Sequence, residues 1–197
     1  MNVSTGQAYP IRQVVTDDLA RNRVTVAFRL ILVIPHLIWL ELWAIAAIVL
    51  WPVNWVWTLI KGESPEWAHS FYASFARYSQ HVSGYLCLAA DPYPTFMGEP
   101  GYPIDLQIDP ARPQRRVLTL FRPILAIPML IVANVLRYLV TVIALIAWFY
   151  ILFTGRMHEG MRNIITFCIA FTVRTYGYMS FLTDRYPPFS EGDIPTS

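Results

Sequence analysis

Two long stretches of the chain carry almost no charge, and they constrain the fold more than any other feature. Residues 30–60 contain one formal charge, Glu41, and residues 123–155 also contain one, Arg137. Only 14% of the 197 residues are charged, whereas soluble globular chains carry about 25%. Uncharged stretches of this length are typical of membrane-spanning segments. The sequence therefore predicts an integral membrane protein.

The two apolar stretches belong to two copies of one unit. Aligning residues 9–96 with residues 102–189 gives 24 identities in 88 positions without a gap. The aligned pairs include Tyr9 and Tyr102, Arg29 and Arg122, Trp55 and Trp148, Gly84 and Gly177, and Asp91 and Asp184. Shared apolar composition would not align these residue types over a whole unit, so we infer an internal duplication. The predicted boundaries are a tail (1–8), unit 1 (9–96), a linker (97–101), unit 2 (102–189) and a tail (190–197).

Each apolar stretch is too long for one upright span. The 31 residues from 30 to 60 would rise about 46 Å as a helix, against a hydrocarbon core of about 30 Å. Two legs, 24–40 and 44–60, joined by a turn at Glu41 would each just cross the core. The equivalent turn in unit 2 would fall near Asn134 and Arg137. The alternative is a single tilted helix, kinked at Pro35 and Pro128.

The predicted fold class is therefore all-α and membrane-integral, with one hairpin of two short transmembrane spans in each unit. A second helical stretch follows each hairpin, at 67–90 and at 160–182. In the first of these, aromatic and apolar residues recur at spacings of three and four, as in an amphipathic helix; they are Phe71, Phe75, Tyr78, Val82 and Tyr85. We expect these helices to lie at the membrane interface. A third span in each unit is the alternative.

Basic residues flank both apolar stretches. Four arginines precede each stretch, Lys61 follows the first, and Arg156 and Arg162 follow the second. The positive-inside rule places all these flanks in the cytoplasm. Since a hairpin returns to its starting side, we expect a multi-pass protein with both termini in the cytoplasm.

Four polar residues of the apolar stretches are candidates for a functional role, and they are Glu41, Asn134, Arg137 and His36. Ionisable residues inside a membrane are functional candidates by default, for example in a proton or ion relay. The competing interpretation places the first three at the hairpin turns, in contact with headgroups. His36 is either a hydrogen-bonded core residue or a haem ligand, and no second axial ligand can be assigned to it.

Basic residues also recur on the second helices. His69 and His81 of unit 1 are replaced by Arg162 and Arg174 in unit 2, and Arg77 lies nearby. Both positions thus keep a basic residue in the two units, whereas the histidines that could bind a metal occur only in unit 1. We expect Arg77, His81, Arg162 and Arg174 to contact a lipid phosphate or a carboxylate partner. No catalytic residue, metal site, cofactor or nucleic-acid surface is predicted.

Three segments of unit 2 resemble a known family. They read Arg-x-Ile-Leu-x-Ile-Pro at 122–128, Ala-Trp-Phe-x-Ile-Leu-Phe-Thr-Gly-Arg at 147–156 and Leu-Thr-Asp-Arg-Tyr-Pro-Pro-Phe at 182–189. This succession resembles the bacterial membrane-protein family called domain of unknown function 4389. Unit 1 departs from it at Lys61-Gly62-Glu63 and at Asp91-Pro92. The resemblance implies a protein of the prokaryotic plasma membrane, and it implies no activity, ligand or catalytic residue.

The first functional hypothesis is a non-catalytic membrane component, either an accessory subunit of a larger complex or a self-assembling scaffold. Its expected partners are membrane lipids and other membrane subunits or further copies of the chain. A small oligomeric transporter or channel is the second hypothesis, because internal duplication is common in transporters. A membrane-embedded enzyme acting on lipids is the third.

Overall fold

The computed structural model describes residues 9–188, so both predicted tails, 1–8 and 190–197, lie outside the described residues. One order of elements occurs twice. The first set is β1 (Ile11–Val15), α1 (Arg23–Leu32), α2 (Ile34–Lys61) and α3 (Glu66–Leu86). The second set is β2 (Ile104–Ile108), α4 (Arg116–Leu125), α5 (Ile127–Thr154) and α6 (Glu159–Met179).

Helices α1 and α2 form one kinked rod. The chain between them stays helical, since Val33 has φ −81° and ψ −16°. The Val33 amide bonds to the Arg29 carbonyl, and the Leu37 amide bonds to the Val33 carbonyl. Pro35 has no N–H to bond the preceding turn, and its ring crowds that turn, so the helix bends here. Helices α4 and α5 repeat this arrangement around Pro128. We call α1 with α2 rod 1, and α4 with α5 rod 2.

The predicted hairpin turns are therefore wrong. Helix α2 continues without a break through Glu41, and α5 continues through Asn134 and Arg137. A lone polar residue among good helix formers supplies no signal that ends a helix. The helices end instead at Gly62 (φ 81°) and Gly155 (φ 73°), whose left-handed conformation glycine adopts without a steric penalty. The kinked helix named as the alternative is what the structure contains.

The all-α prediction also missed a short β-ribbon. Strands β1 and β2 pair antiparallel, and Gln13 lies opposite Leu106. These two residues are 93 apart, which is the offset between the units, so each is the other's equivalent. A pseudo-two-fold axis must therefore pass through the ribbon at this pair. Such an axis relates every contact between the units to a second, reciprocal contact.

The rods run antiparallel and touch at both ends. The Arg21 amide donates to the Gly155 carbonyl (3.2 Å), and the equivalent Gln114 amide donates to the Gly62 carbonyl (2.7 Å). One turn farther along, the Trp148 indole donates to the Val26 carbonyl. The equivalent Trp55 indole donates to the Thr119 carbonyl. The beginning of each rod is thus bonded to the end of the other.

Helices α3 and α6 form the interior of the molecule. They pack against each other, α3 packs on α2 and β2, and α6 packs on α5 and β1. Glycines permit the close approach to the ribbon, because a Cβ on Gly84 would touch Ile104 and one on Gly177 would overlap Ile11. The sequence correctly predicts both helices. It also predicts that α3 lies at the membrane interface, with its apolar stripe in lipid. In the structure, however, only Glu66, Trp67 and Ser70 of α3 are exposed, so protein contacts bury most of that stripe.

Candidate functional site

The largest candidate site is the apolar surface of the two rods. Helices α2 and α5 are long and apolar enough to cross a membrane, and only 11% and 17% of their most apolar segments are buried. Exposed apolar side chains extend from Val24 to Ile60 on rod 1 and from Val117 to Phe153 on rod 2. Soluble monomers do not leave apolar surface of this extent open to water. The rods therefore present an interaction surface for lipid or protein.

Cations lie at the ends of both rods. Arg23 and Lys61 are exposed at the two ends of rod 1, and Arg116 and Arg156 are exposed at the two ends of rod 2. Arg115 pairs with Asp184 at 3.3 Å, but 72% of its side chain is accessible. Exposed cations thus lie at each end of the apolar surface, and the exposed carboxylates of Glu63 and Glu159 lie close in sequence to those that follow the rods.

A buried arginine in each unit bonds the third helix to its rod. Arg29 is 1% exposed, and its Nη1 donates to the carbonyls of Tyr85 and Ala90, both at 2.8 Å. Its Nη2 donates to the carboxylate of Asp91 at 2.7 Å, and its guanidinium lies over the Tyr85 ring. These contacts satisfy carbonyl groups at the C-terminal end of α3, which have no partners within the helix.

Arg122 makes the equivalent contacts in unit 2. Its Nη1 donates to the Tyr178 carbonyl (2.8 Å) and its Nη2 to the Gln114 side chain (2.7 Å). The guanidinium lies between the rings of Tyr178 and Phe181. Each arginine thus bonds the end of the third helix to the rod through its two Nη atoms, while its buried Nε has no hydrogen-bond partner among residues 9–188.

Arg77 and His81, two of the predicted contact residues, meet at one carboxylate of the ribbon. His81 Nε2 lies 3.0 Å from Asp105 Oδ1, and Arg77 Nε lies 3.4 Å from the same oxygen. Burial opposes ionisation of Asp105. The hydrogen bonds from His81 and from the amides of Gly101 and Leu106 outweigh it and hold the pKa of Asp105 below its usual range. This ionic cluster joins α3 to β2.

The other two predicted contact residues, Arg162 and Arg174, also face protein acceptors. Arg162 lies 3.6 Å from Glu159 and donates to the Asp17 carbonyl at 3.5 Å. Arg174 Nε donates to the Ile11 carbonyl at 3.2 Å. Contact of these four basic residues with a lipid phosphate stays a prediction.

The polar residues of the apolar stretches do not converge on one site. Glu41 is exposed on α2. On α5, the Arg137 guanidinium donates to the Asn134 side chain at 3.2 Å. His36 is buried, with Nδ1 2.8 Å from the Tyr78 hydroxyl and its ring stacked on Phe96. These contacts place His36 in a hydrogen-bonded core.

Sequence reasoning missed a cavity of about 600 Å³. It lies between α2, α3 and α6, with Leu130 of α5 at its border. Its walls are mainly apolar, and the hydroxyl-bearing residues Ser79 and Ser180 are among the few polar ones. Volume and lining both suit an apolar ligand.

Unit 1 carries a much larger side chain than unit 2 at two positions that line the cavity. Trp51 and Phe75 line it, and the equivalents of these residues in unit 2 are the small Ala144 and Cys168. Accordingly α5 packs along α6 more extensively than α2 packs along α3. Unit 1 contains six of the seven tryptophans of the chain. This difference between the units was the sequence signal that could have pointed to the cavity.

Among residues 9–188, no group of three or more His, Cys, Asp or Glu side chains is placed to hold a metal ion. No curated protein and no solved structure matches the chain. The family model described as "Domain of unknown function (DUF4389)" matches residues 23–98 and 116–191. Each match begins with the first helix of a rod and extends past the third helix of its unit. Since the two matches cover more than half of the sequence, the chain belongs to the DUF4389 family and carries its domain in two tandem copies.

Proposed function

We propose that the protein is a non-catalytic structural component of a prokaryotic plasma membrane. It acts there as an accessory subunit or as a self-assembling scaffold. The observation that carries this proposal is the apolar surface along both rods, which only lipid or another apolar surface would cover. The basic residues at the rod ends suit the anionic headgroups of the cytoplasmic leaflet. Both chain termini are then on the cytoplasmic side.

The use of buried charge also supports a structural role. Arg29 and Arg122 bond carbonyl groups at the ends of α3 and α6. Arg21 donates to the carbonyls of Leu88 and Ala89 in the turn that follows α3. These three arginines stabilise turns and helix ends, and the surface available to partners is that of the rods.

Membrane fractionation followed by native mass spectrometry tests this proposal. The protein, expressed in its own membrane and extracted in mild detergent, is expected in the membrane fraction. A fixed heteromeric mass supports an accessory subunit, and a homo-oligomer supports a scaffold. A homo-oligomer that conducts ions in planar bilayers would favour the alternative, a small channel. Recovery in the soluble fraction would overturn the membrane role.

The cavity favours a second candidate function, the binding of one lipid acyl chain. The cavity is bounded partly by Ala44 and Ile48 of α2, and Ile48 is also 72% exposed. It therefore adjoins the surface that we assign to lipid. An apolar chain could enter from the bilayer without crossing water.

A matched pair of α2 variants tests this binding. Ala44→Trp places an indole in the cavity and should abolish a lipid adduct seen by native mass spectrometry. Ile45→Trp adds the same side chain at a neighbouring position that is 53% exposed, and it should leave the adduct unchanged. An adduct that survives Ala44→Trp, or that never appears on the wild-type protein, would refute the second function.

A further inference from the structure

We propose that both rods lie along the plane of one leaflet and that neither crosses the bilayer. This inference rests on the proposed membrane function and specifies the surface that lipid covers. The rods are pseudo-equivalent, so they face lipid equally only if the pseudo-two-fold axis is perpendicular to the bilayer or lies in its plane. The perpendicular axis gives rods within one leaflet. The axis in the plane gives two antiparallel spans, an inverted repeat of the kind found in transporters.

Both ends of each rod have the same height, where height means position along the axis. A two-fold rotation leaves height unchanged, so Gly62 and its equivalent Gly155 lie at one height. Arg21, at the beginning of rod 1, is hydrogen bonded to Gly155. The beginning of rod 1 therefore has the same height as its end, to within one contact.

The bend in each rod lies close to the height of the rod ends. Helix α1 has 10 residues, so the bend at Val33 lies at most about 15 Å above or below the rod ends. This distance is about half of a hydrocarbon core. With the axis perpendicular to the bilayer, even the deepest point of the rod therefore stays within one leaflet.

The exposed apolar stripe is too long for a span and suits a rod in the plane. It extends over 37 positions of rod 1, from Val24 to Ile60, which is about 55 Å of helix. A crossing rod has about 30 Å of hydrocarbon to cover it, so a large part of the stripe would remain in water. A rod that lies along the leaflet covers the whole stripe.

A crossing pose would also put polar groups at the centre of the bilayer. The pseudo-two-fold rotation exchanges the two antiparallel rods, so its axis passes level with their midpoints. The midpoint of rod 1 lies beside Glu41, which is exposed. The ribbon lies on the same axis and carries the partly exposed ion pair of Arg12 with Asp109. Its exposed Gln107 would face lipid as well. Charges and open strand edges are excluded from that depth.

The distribution of cations points the same way. If α2 crossed the bilayer, Arg23 before it and Lys61 after it would lie on opposite sides. The positive-inside rule disfavours this split. Rods in one leaflet keep Arg23, Lys61, Arg116 and Arg156 on one side, at the height of anionic headgroups. The multi-pass topology expected from the sequence depended on hairpins that the structure does not contain.

Single-cysteine labelling distinguishes the two poses. The background is the full chain with Cys87→Ala and Cys168→Ala, which removes both native thiols. Four variants are made in it, Arg23→Cys, Glu63→Cys, Arg116→Cys and Arg156→Cys, and all four positions are exposed. They form two pseudo-equivalent pairs, 23 with 116 and 63 with 156. A membrane-impermeant maleimide is applied to right-side-out and to inside-out vesicles.

We expect all four cysteines to react in inside-out vesicles and none in right-side-out vesicles. The inference is overturned if positions 23 and 156 react from one side while positions 63 and 116 react from the other. The membrane content of each variant is measured first. A chain that stays in the supernatant refutes the proposed function itself, which separates that failure from a wrong orientation. Variants must match the melting temperature of the background, so that an unfolded chain is not scored.

Discussion

Removing the Arg29 guanidinium should destabilise the fold, because this buried group bonds the end of α3 and the turn after it to rod 1. In Arg29→Met the apolar stem is retained, while the Ala90 carbonyl loses its donor and the Tyr85 carbonyl keeps only the Leu88 amide. The stranded Ala90 carbonyl costs about 1–3 kcal/mol. Asp91, whose side chain is 28% exposed, can be rehydrated and adds little. We therefore expect a loss of about 2–4 kcal/mol, which combines the stranded Ala90 carbonyl with the one hydrogen bond lost at Tyr85.

For a chain of this size that loss corresponds to a decrease of about 4–16 °C in melting temperature. Near-UV circular dichroism of the protein in detergent micelles or nanodiscs measures it. Arg23→Met is the control, because Arg23 is an exposed arginine on the same helix, and its melting temperature should change by less than about 2 °C. Arg29→Lys should recover only part of the loss, since an ammonium group cannot bond three acceptors in one plane. An Arg29→Met protein as stable as its control would refute the role assigned to this residue.

Two further predictions concern the segment between the units and the ribbon. Because the pKa of Asp105 is lowered in the folded protein, its contribution to stability is complete above about pH 4 and is lost as the pH falls through the folded-state pKa. Asp105→Asn should flatten the fall in melting temperature between about pH 5 and pH 3, and an unchanged slope would contradict this assignment. Gly98→Ala should cost about 1–3 kcal/mol, because φ is 63° and the new Cβ would lie 2.9 Å from the Tyr78 amide nitrogen. Gly62→Ala is the control, because its φ is 81° and no atom would lie closer than 3.6 Å to the new Cβ. Chemical denaturation should show a smaller loss there, and equal losses would exclude the clash as the cause.

The sequence predicts the duplication and the helices well, and it fails where two local signals compete. The length of the apolar stretch suggested a turn, and Glu41 was the only charged position at which to place it. Neither glycine nor proline occurs near Glu41, and the helix accordingly continues. Pro35 was the stronger local signal, because a proline removes one hydrogen bond of the helix, and the regular helix is interrupted just before it, at Val33. The turn was predicted because the apolar stretch is too long for one helix that crosses the bilayer upright. A rod that lies along the leaflet has no such limit on its length.

The ribbon and the cavity depend on contacts that are distant in sequence. Strand β1 is five residues long, and its partner lies about 90 residues later, so no local pattern announces their pairing. Three basic residues of the second helices lie beside carboxylates, namely Arg77 and His81 beside Asp105 and Arg162 beside Glu159. For Arg174 the acceptor is a backbone carbonyl, which no sequence pattern can identify. Their contact with a lipid phosphate remains a prediction for experiment.

A comparison of the two units predicts how many acyl chains one protein chain binds. The shared positions include Arg29 with Arg122 and Trp55 with Trp148, and these residues bond each unit to itself or to the other rod. Two aromatic residues that line the cavity, Trp51 and Phe75, correspond to the small residues Ala144 and Cys168 in unit 2. If duplication had preserved a ligand site, a second cavity would be expected at the same place in unit 2, but α5 and α6 are packed together there. Any acyl chain should therefore bind once per chain, and a native mass spectrum with two lipids per chain would show that the cavity of unit 1 is not the binding site.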